Sequence, residues 1–510
     1  MIAARLRSPI SHTRFTLVFA AALYIFCNAP NVDRLARWFR VGDALDVSAL
    51  LAFLVAGLCL FIAVFTLVAH RWTLKPFAIA LSICGAAAAY FIRKYDVAID
   101  SSMMLNFAHT DATEIGQLLS WQMVPAVILL ILLPVGLVLA ANVTFAPRGR
   151  YLWGSAKLFV GSLLVAVACL YVESAAILRA GNVSNKYIVY QLVPIDVISG
   201  SVNALTKSLR PYWRRDQKTL AVDARVETPG DLVVVLAVGE SSRRQNFSLY
   251  GYTRRDTNPE LAKIPGLHKL NAVATRASTL YALPKILEKD GIKLTTVTAK
   301  AGVPTVCYVN YTLYDNCAAV GETKTANCAH GGKCYDEDVL PLLEKDLASY
   351  RAGYRFVVLH LGGGSHGPLY GDRHPPEFRR FTPTCDDADV ANKCSREQLF
   401  NSYDNTILYV DHVVAGVVDT LERSGKPYVL LYLSDHGESL GEGGHLFHGL
   451  PPGVALPPEQ TDIPLLVKAS VPLEVADRAE IGQPDVFDSV LALLTIRSPA
   501  FDRAGSFLTR

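Results

Sequence analysis

The chain has 510 residues, with 49 Lys and Arg against 46 Asp and Glu. That length suffices for two substantial domains, and a net charge of +3 carries no nucleic-acid signature. With 51% hydrophobic and only 19% charged residues the chain is oilier than a soluble average, and the excess lies at the N-terminal end.

Five runs are apolar and long enough to be read as bilayer spans, which take ~20 residues. They are Thr13–Ala29, Val47–Val68, Pro76–Ile92, Val124–Ala141 and Leu158–Ala176. The first does not read as a cleaved signal peptide: no small-x-small site follows cleanly, and four more runs come later. Basic flanks set the orientation. Arg5, Arg7 and Arg14, then His70, Arg71 and Lys75, then Arg148, Arg150 and Lys157 predict cytoplasmic segments. Arg34, Arg37, Arg40, Arg93 and Lys94 run locally against the rule. The loop Asp100–Gln122, and everything after the fifth span, then falls outside. In that loop Asn106 and Glu114 read as helix-cap and surface residues, although either could face a lipid headgroup.

The predicted division is a five-helix transmembrane domain over 1–180, a linker over 181–228 and a polar domain outside the membrane over 229–510. Within the linker, Tyr212 and Trp213 stand beside four basic residues in Ser208–Lys218, as at a membrane interface. The ten cysteines split in two. Cys27, Cys59, Cys84 and Cys169 lie in apolar runs and read as small hydrophobes. The other six are expected to pair locally, as Cys307–Cys317, Cys328–Cys334 and Cys385–Cys394. Disulfides persist in oxidising compartments, which agrees with the outside placement.

In the polar part, Leu232–Val238 is a continuous β-branched run, the mark of a buried parallel strand. Lys293–Thr298, Phe356–Leu361, Tyr428–Leu433 and Ile463–Val467 read likewise. Helical patterns cover Tyr281–Asp290, Val339–Ser349 and Gln398–Ser424. This alternation predicts an α/β/α domain around a largely parallel sheet, with ligands beyond the strand C-terminal ends. Polar groups follow three of those ends: Glu240, the segment His360–His366, and Asp435-His436.

Carboxylate and imidazole are both zinc ligands, and Glu240, Asp435 and His436 would leave a position open for a substrate oxygen. His366, His445 and His448 are further candidates for a second metal or for phosphate oxygens. Glu438 is expected to orient His436 from behind. For a nucleophile the residues leave Ser241, Ser242, Thr275, Ser278 and Thr279 open. Thr279 has one local advantage, a helix start, where free amide N–H groups would hold a phosphate.

Several long ordered motifs add a resemblance. They are VGESSRRQNFSLYGYTRRDTNP (Val238–Pro259), GGKCYDEDVL (Gly331–Leu340), SHGPLYGDRHPPEFRRFTPTC (Ser365–Cys385), CSREQLFNSYDNTILYVD (Cys394–Asp411) and LSDHGESLGEGGHLFHGLP (Leu433–Pro451). Together with the apolar spans they make the chain resemble the lipid A phosphoethanolamine transferases, a family that includes the enzymes of colistin resistance. The resemblance implies an alkaline-phosphatase-like (sulfatase-like) domain on a five-helix anchor in the bacterial inner membrane. It implies Zn²⁺ held by Glu240, Asp435 and His436 with Thr279, the nucleophile. It makes His360, His366 and His448 substrate-site histidines, and Asn106 and Glu114 headgroup residues. The implied reaction moves phosphoethanolamine from phosphatidylethanolamine to lipid A, and a monomer is expected. The alternative is a phosphoethanolamine or phosphoglycerol transferase acting on core sugar or another envelope glycan. The chain departs from the family in one place: the segment Thr275–Lys285 lacks the two cysteines that usually flank the nucleophile.

Overall fold

The computed structural model describes residues 8–95, 99, 101, 103–104, 123–184, 187–213, 223–310, 323–325, 334–450 and 455–510. The chain forms two compact units, Met1–Arg210 with Pro451–Ala455, and Pro211–Leu450 with Leu456–Arg510.

The first unit is helical. α1 (His12–Asn28) starts at Ser11, whose hydroxyl accepts the Arg14 N–H. α2 (Val47–Val68) starts at Asp46, whose carboxylate accepts the Ala49 N–H. These side chains satisfy amides that a helix start leaves without a partner. α3 (Leu74–Tyr95) follows. A continuous helical run over 123–140 then ends in α4 (Leu133–Ala140), and its middle, Val127–Leu132, is a π-helix. α5 (Arg148–Val172) packs along α2, and α6 (Ile195–Trp213) crosses the expected linker.

Among the described residues, four helices are long and apolar enough to cross a membrane: His12–Phe39, Val47–Val68, Leu74–Lys94 and Arg148–Val172. The expected fourth span, Val124–Ala141, corresponds to a shorter apolar helix, Val127–Ala140. An aromatic core of Phe15, Phe19, Phe53, Phe61 and Phe65 holds the helices together. Outside it the α5 face bearing Leu164 and Val167 is 65% and 55% exposed. Such a surface is unfavourable in water and suited to lipid, because the helices bond their own backbone groups internally.

The second unit is a three-layer α/β/α domain. Its strands are β1 (Leu232–Gly239), β2 (His268–Val273), β3 (Thr305–Val309), β4 (Thr323–Thr325), β5 (Tyr354–Leu361), β6 (Tyr428–Ser434), β7 (Asp462–Ala469) and β8 (Ile481–Gly482). Among the described residues they form one sheet in the order β4-β3-β5-β1-β6-β7-β2-β8. All pairings are parallel except those of β7, which runs antiparallel to both β6 and β2.

β1 explains the unbroken apolar run. Val233, Val235 and Ala237 face one core, and Leu232, Val234, Leu236 and Val238 face the other. Alternate side chains point to opposite faces, so a strand covered on both sides must be apolar throughout. α7 (Thr279–Leu287), α8 (Leu294–Lys300), α9 (Leu340–Ser349), α10 (Arg396–Arg423) and α11 (Gln483–Leu493) supply the outer layers. α9 and α10 cover the first face, and α7, α8 and α11 the second.

One strand expectation fails. Lys293–Thr298 is not a strand: Leu294–Lys300 is α8, and its Leu294 and Val297 pack against the sheet. A short apolar run does not by itself distinguish a strand from a buried helix turn. The helix expected over Tyr281–Asp290 runs instead over Thr279–Leu287, with Pro284 tolerated inside it.

Cys385 and Cys394 form a disulfide with a Cα–Cα distance of 5.5 Å. Cys307 and Cys334 are disulfide-bonded as well, while Cys317 and Cys328 lie outside the described residues. Cys27, Cys59, Cys84 and Cys169 are free, as expected. The 385–394 bridge closes a loop nine residues long. Non-reducing peptide mapping should recover it, and replacing both cysteines by Ser should destabilise the second unit by about 2–3 kcal/mol, read as an earlier denaturant midpoint. An unchanged midpoint would show that the loop is held by packing alone.

Candidate active site

Strand register builds the site. Gly239 of β1 stands opposite Leu361 of β5 on one side and Ser434 of β6 on the other. Glu240, Gly362 and Asp435 therefore leave the sheet side by side, although they are far apart in sequence. Ser241 follows with φ 57°, a left-handed conformation uncommon outside glycine. Its amide donates to Asp435 Oδ1 (3.0 Å), its hydroxyl to Glu240 Oε1 (2.7 Å), and its carbonyl accepts the Tyr403 hydroxyl (2.8 Å). Backbone strain of this kind persists where the surroundings fix it from several sides.

His436 is the centre of the cluster. Its Nδ1 bonds the Gly437 carbonyl at 2.9 Å, so that nitrogen carries the hydrogen and Nε2 presents its lone pair. Nε2 faces three oxygens: Glu240 Oε1 and Asp435 Oδ2, each at 3.3 Å, and Thr279 Oγ1 at 3.4 Å. Asp435 Oδ2 is buried and makes no hydrogen bond. An imidazole lone pair aimed at two carboxylates and a hydroxyl calls for a cation between them. Glu240, Asp435 and His436 can each offer one ligand atom within 4.8 Å of the others, and all three are buried. This donor set suits a divalent metal with an open position.

The electrostatics agree. Burial disfavours the His436 cation, yet the charges of Asp435 and Glu240 overcome it and push its pKa upward. Burial and the neighbouring Glu240 charge push Asp435 upward. Burial also opposes charge on Glu240, but His436 holds it well below the usual carboxylate range. The buried carboxylates favour positive charge at the centre of the cluster, a charge that a metal ion at the Nε2 lone pair would supply.

A second group lies alongside, made of Glu240, His366 and His448. The His366 and His448 rings are 4.8 Å apart between centroids, and His448 is 4.3 Å from His436. Glu438 does not orient His436 as expected. Its Oε2 takes the His448 Nδ1 hydrogen at 2.5 Å, while Oε1 accepts the Gly367 amide (3.1 Å) and the Tyr370 hydroxyl (3.0 Å). The reason is direction: the His436 Nδ1 turns to the Gly437 carbonyl, and the chain folds back to bring His448 over Glu438. His448 Nε2 is thereby turned toward the site.

Of the candidate hydroxyls, Thr279 has the best position. It is the first residue of α7, and its Oγ1 donates to Glu240 Oε2 at 2.9 Å. Ser241 and Ser242 are fully buried and cannot meet an incoming lipid. Thr275 is placed by its amide on Gln483 Oε1, and Ser278 is the residue before the helix. His445 belongs to neither metal-ligand group. His360 lies at the end of β5, 2% exposed, and neither ring nitrogen has a hydrogen-bond partner. Burial lowers its pKa to about 4, against the pull of Glu240. Asn106 and Glu114 lie outside the described residues.

Sequence reasoning missed a clamp beneath the His366 loop. Asp336 accepts the amides of Gly363 and Gly364 on its two carboxylate oxygens, each at 2.8 Å, and the Asn310 side-chain amide at 2.5 Å. Asn310 Oδ1 accepts the Gly362 amide at 3.0 Å. Three successive glycines are fixed in this way, and the next amide, of Ser365, donates to the Glu240 carbonyl (2.9 Å). Gly364 has φ 39°, and a Cβ there would lie 2.3 Å from that carbonyl. A run of glycines after a strand, with an acid in a separate motif, was the only available signal.

Comparison with known proteins places this geometry. Residues 57–209 match the family described as phosphoethanolamine transferase EptA/EptB, and residues 274–496 match the sulfatase family. The phosphoethanolamine transferase EptA of Escherichia coli K12 is 30% identical over 100% of this chain and 98% of its own. That of Helicobacter pylori is 31% identical over 84% of this chain and 83% of its own. The structure of the integral membrane lipooligosaccharide phosphoethanolamine transferase A from Neisseria meningitidis shares the fold with a TM-score of 0.83, covering 96% of this chain and 98% of that one, at 24% identity. The apolar helices followed by a large polar unit match the architecture of that integral membrane protein. The chain belongs to the EptA family of phosphoethanolamine transferases.

Proposed function

We propose that this enzyme takes phosphoethanolamine from phosphatidylethanolamine onto Thr279 and passes it to a phosphorylated glycolipid of the lipid A type. One observation carries the reading: among the described residues, the only partly exposed hydroxyl bonded to the buried metal-ligand cluster is Thr279, at a helix N-terminus. The Kdo(2)-lipid A phosphoethanolamine 7''-transferase of Escherichia coli K12, 27% identical over 53% of this chain, supports the acceptor class.

The Thr279 hydroxyl is held on Glu240 Oε2, which draws its hydrogen away from the side where a phosphorus would approach. A bond forms from Thr279 Oγ1 to phosphorus, the bond from phosphorus to the glycerol oxygen breaks, and diacylglycerol leaves with a proton. This is nucleophilic catalysis in two steps. The first amides of α7 stand where the phosphoryl oxygens gain negative charge. His448, with Nδ1 fixed on Glu438, offers Nε2 to pass a proton to the leaving oxygen and to take one from the acceptor. His366 flanks the same oxygens. Glu240, Asp435 and His436 with Thr279 would hold Zn²⁺, which would lower the hydroxyl pKa and neutralise phosphoryl charge.

Thr279→Ala should fold and bind zinc yet transfer nothing, whereas Thr279→Ser should keep part of the activity. Incubation with phosphatidylethanolamine alone should leave a phosphoethanolamine adduct on Thr279 by peptide mass spectrometry. Undiminished transfer by Thr279→Ala would sink the assignment.

Metal content gives an independent test. Purified enzyme should hold about one tight zinc per chain, and Asp435→Ala or His436→Ala should lose metal and activity together. Full zinc occupancy in both variants would refute the ligand set.

The clamp under the His366 loop makes a third. Asp336→Asn sets an NH2 against a backbone N–H, so turnover should fall about 10–100-fold with zinc retained. Wild-type turnover would show that the loop holds itself.

A further inference from the structure

A second constellation in the catalytic unit takes no part in this chemistry. The first turns of α10 carry Phe400, Asn401, Asp404 and Asn405, and arginines from three segments gather around them. The guanidinium carbons of Arg243, Arg254 and Arg396 lie 5.3, 5.4 and 5.2 Å from the centre of the Phe400 ring. Arg255 lies 5.6 Å from the Phe381 ring. Arg380 precedes that ring, and the amides of both residues donate to Asn405 Oδ1 at 3.0 and 2.8 Å.

Two of these cations are compensated. Arg243 pairs with Glu442 at 2.9 Å and Arg254 with Asp404 at 3.0 Å. Arg379, beside Arg380, pairs with Asp386. Arg255, Arg380 and Arg396 make no salt bridge among the described residues. Arg255 Nε is buried without a hydrogen bond, and Arg255 Nη2 reaches only the neutral Asn401 Oδ1, at 3.4 Å. Arg396 opens α10, where the helix dipole disfavours a cation. The nearby acids Glu397 and Asp256 are exposed, and Asp256 accepts the Ser248 hydroxyl. The aromatic rings hold the Arg255 and Arg396 guanidinium groups by cation–π contact, and Arg380 is exposed at the residue before Phe381. Like charges held together in this way repel one another, and an anion among them relieves the repulsion.

The patch lies at the same end of the sheet as the active site. Tyr403, one turn beyond Phe400, bonds both the Ser241 carbonyl and the Arg243 amide at 2.8 Å. Arg243 Nη1 also donates to the Glu438 carbonyl at 3.1 Å, in the segment that leads to His448.

We propose that Arg255, Arg380 and Arg396 bind a phosphate monoester of the acceptor glycolipid. The inference rests on the acceptor reading given above. The donor headgroup is zwitterionic, its single phosphodiester charge offset by its own ammonium. A phosphate monoester carries about −1.5 to −2 charges near neutral pH and three acceptor oxygens. Guanidinium forks bind such oxygens in pairs, so uncompensated arginines select acceptor over donor.

The test uses the full-length enzyme in phosphatidylethanolamine vesicles with a phosphorylated lipid A-type acceptor. It compares wild type with the triple variants Arg255→Gln/Arg380→Gln/Arg396→Gln and Arg255→Lys/Arg380→Lys/Arg396→Lys. The Gln variant should raise the acceptor KM about tenfold or more and flatten its dependence on salt. Diacylglycerol release without acceptor should be unchanged, and the Lys variant, which keeps the charge but loses the paired fork, should have an acceptor KM between those of wild type and the Gln variant. An unchanged acceptor KM in the Gln variant, with wild-type transfer normal, overturns the patch alone. Equal loss of acceptor transfer and diacylglycerol release overturns it too, because the residues would then support the site as a whole. A wild type that releases diacylglycerol but transfers nothing to the glycolipid removes the acceptor reading, and this proposal with it.

Discussion

The buried carboxylate of Glu240 is the constraint on which the catalytic unit depends. One oxygen takes the Ser241 hydroxyl, the other the Thr279 hydroxyl, and His436 Nε2 stands 3.3 Å away. The backbone carbonyl of the same residue takes the Ser365 amide and leaves no space for a side chain at Gly364. A carboxylate withdrawn from water carries a large desolvation cost unless charge and hydrogen bonds compensate it. Each neighbour meets part of that requirement and is fixed in place by doing so. The Thr279 hydroxyl, the imidazole and the histidine loop are thus positioned by one buried charge.

Positioning then spreads outward through other buried acids. Asp336 fixes the glycine loop, Glu438 fixes the His448 ring, and Asp404 takes Asn246, Tyr252 and Arg254 beside α10. Each is almost fully enclosed, and each spends its oxygens on backbone amides or on side chains that carry function. Such networks hold their geometry because a half-satisfied buried polar group is costly. The helical unit works by the opposite chemistry. Its aromatic core is closed, its outward faces are apolar, and Ser11 and Asp46 cap the starts of α1 and α2 locally.

How much of this was legible depends on how local each signal was. The runs at Leu232–Val238, Phe356–Leu361 and Tyr428–Leu433 were readable as strands because burial on both faces demands unbroken apolar sequence. The groups just beyond them, Glu240 and Asp435-His436, could be named for the same reason. α8 was misread as a strand because seven residues are too few for a helical period to declare itself. Glu438 was assigned to the wrong histidine because a neighbour in sequence was taken for a neighbour in space.

The sequence by itself determined the two-part chain, the cysteine partition and the chemistry available at three strand ends, since these rest on composition and on periods of two or a few residues. Only the tertiary structure set the partly exposed Thr279 apart from the buried Ser241, because accessibility depends on what the rest of the fold covers. It also decided that β7 runs antiparallel, that Glu438 serves His448, that Asp336 clamps the glycine loop and that three arginines meet beside Phe400. Each of these joins side chains from separate segments, and strand register and helix packing, not sequence spacing, set the distances between them.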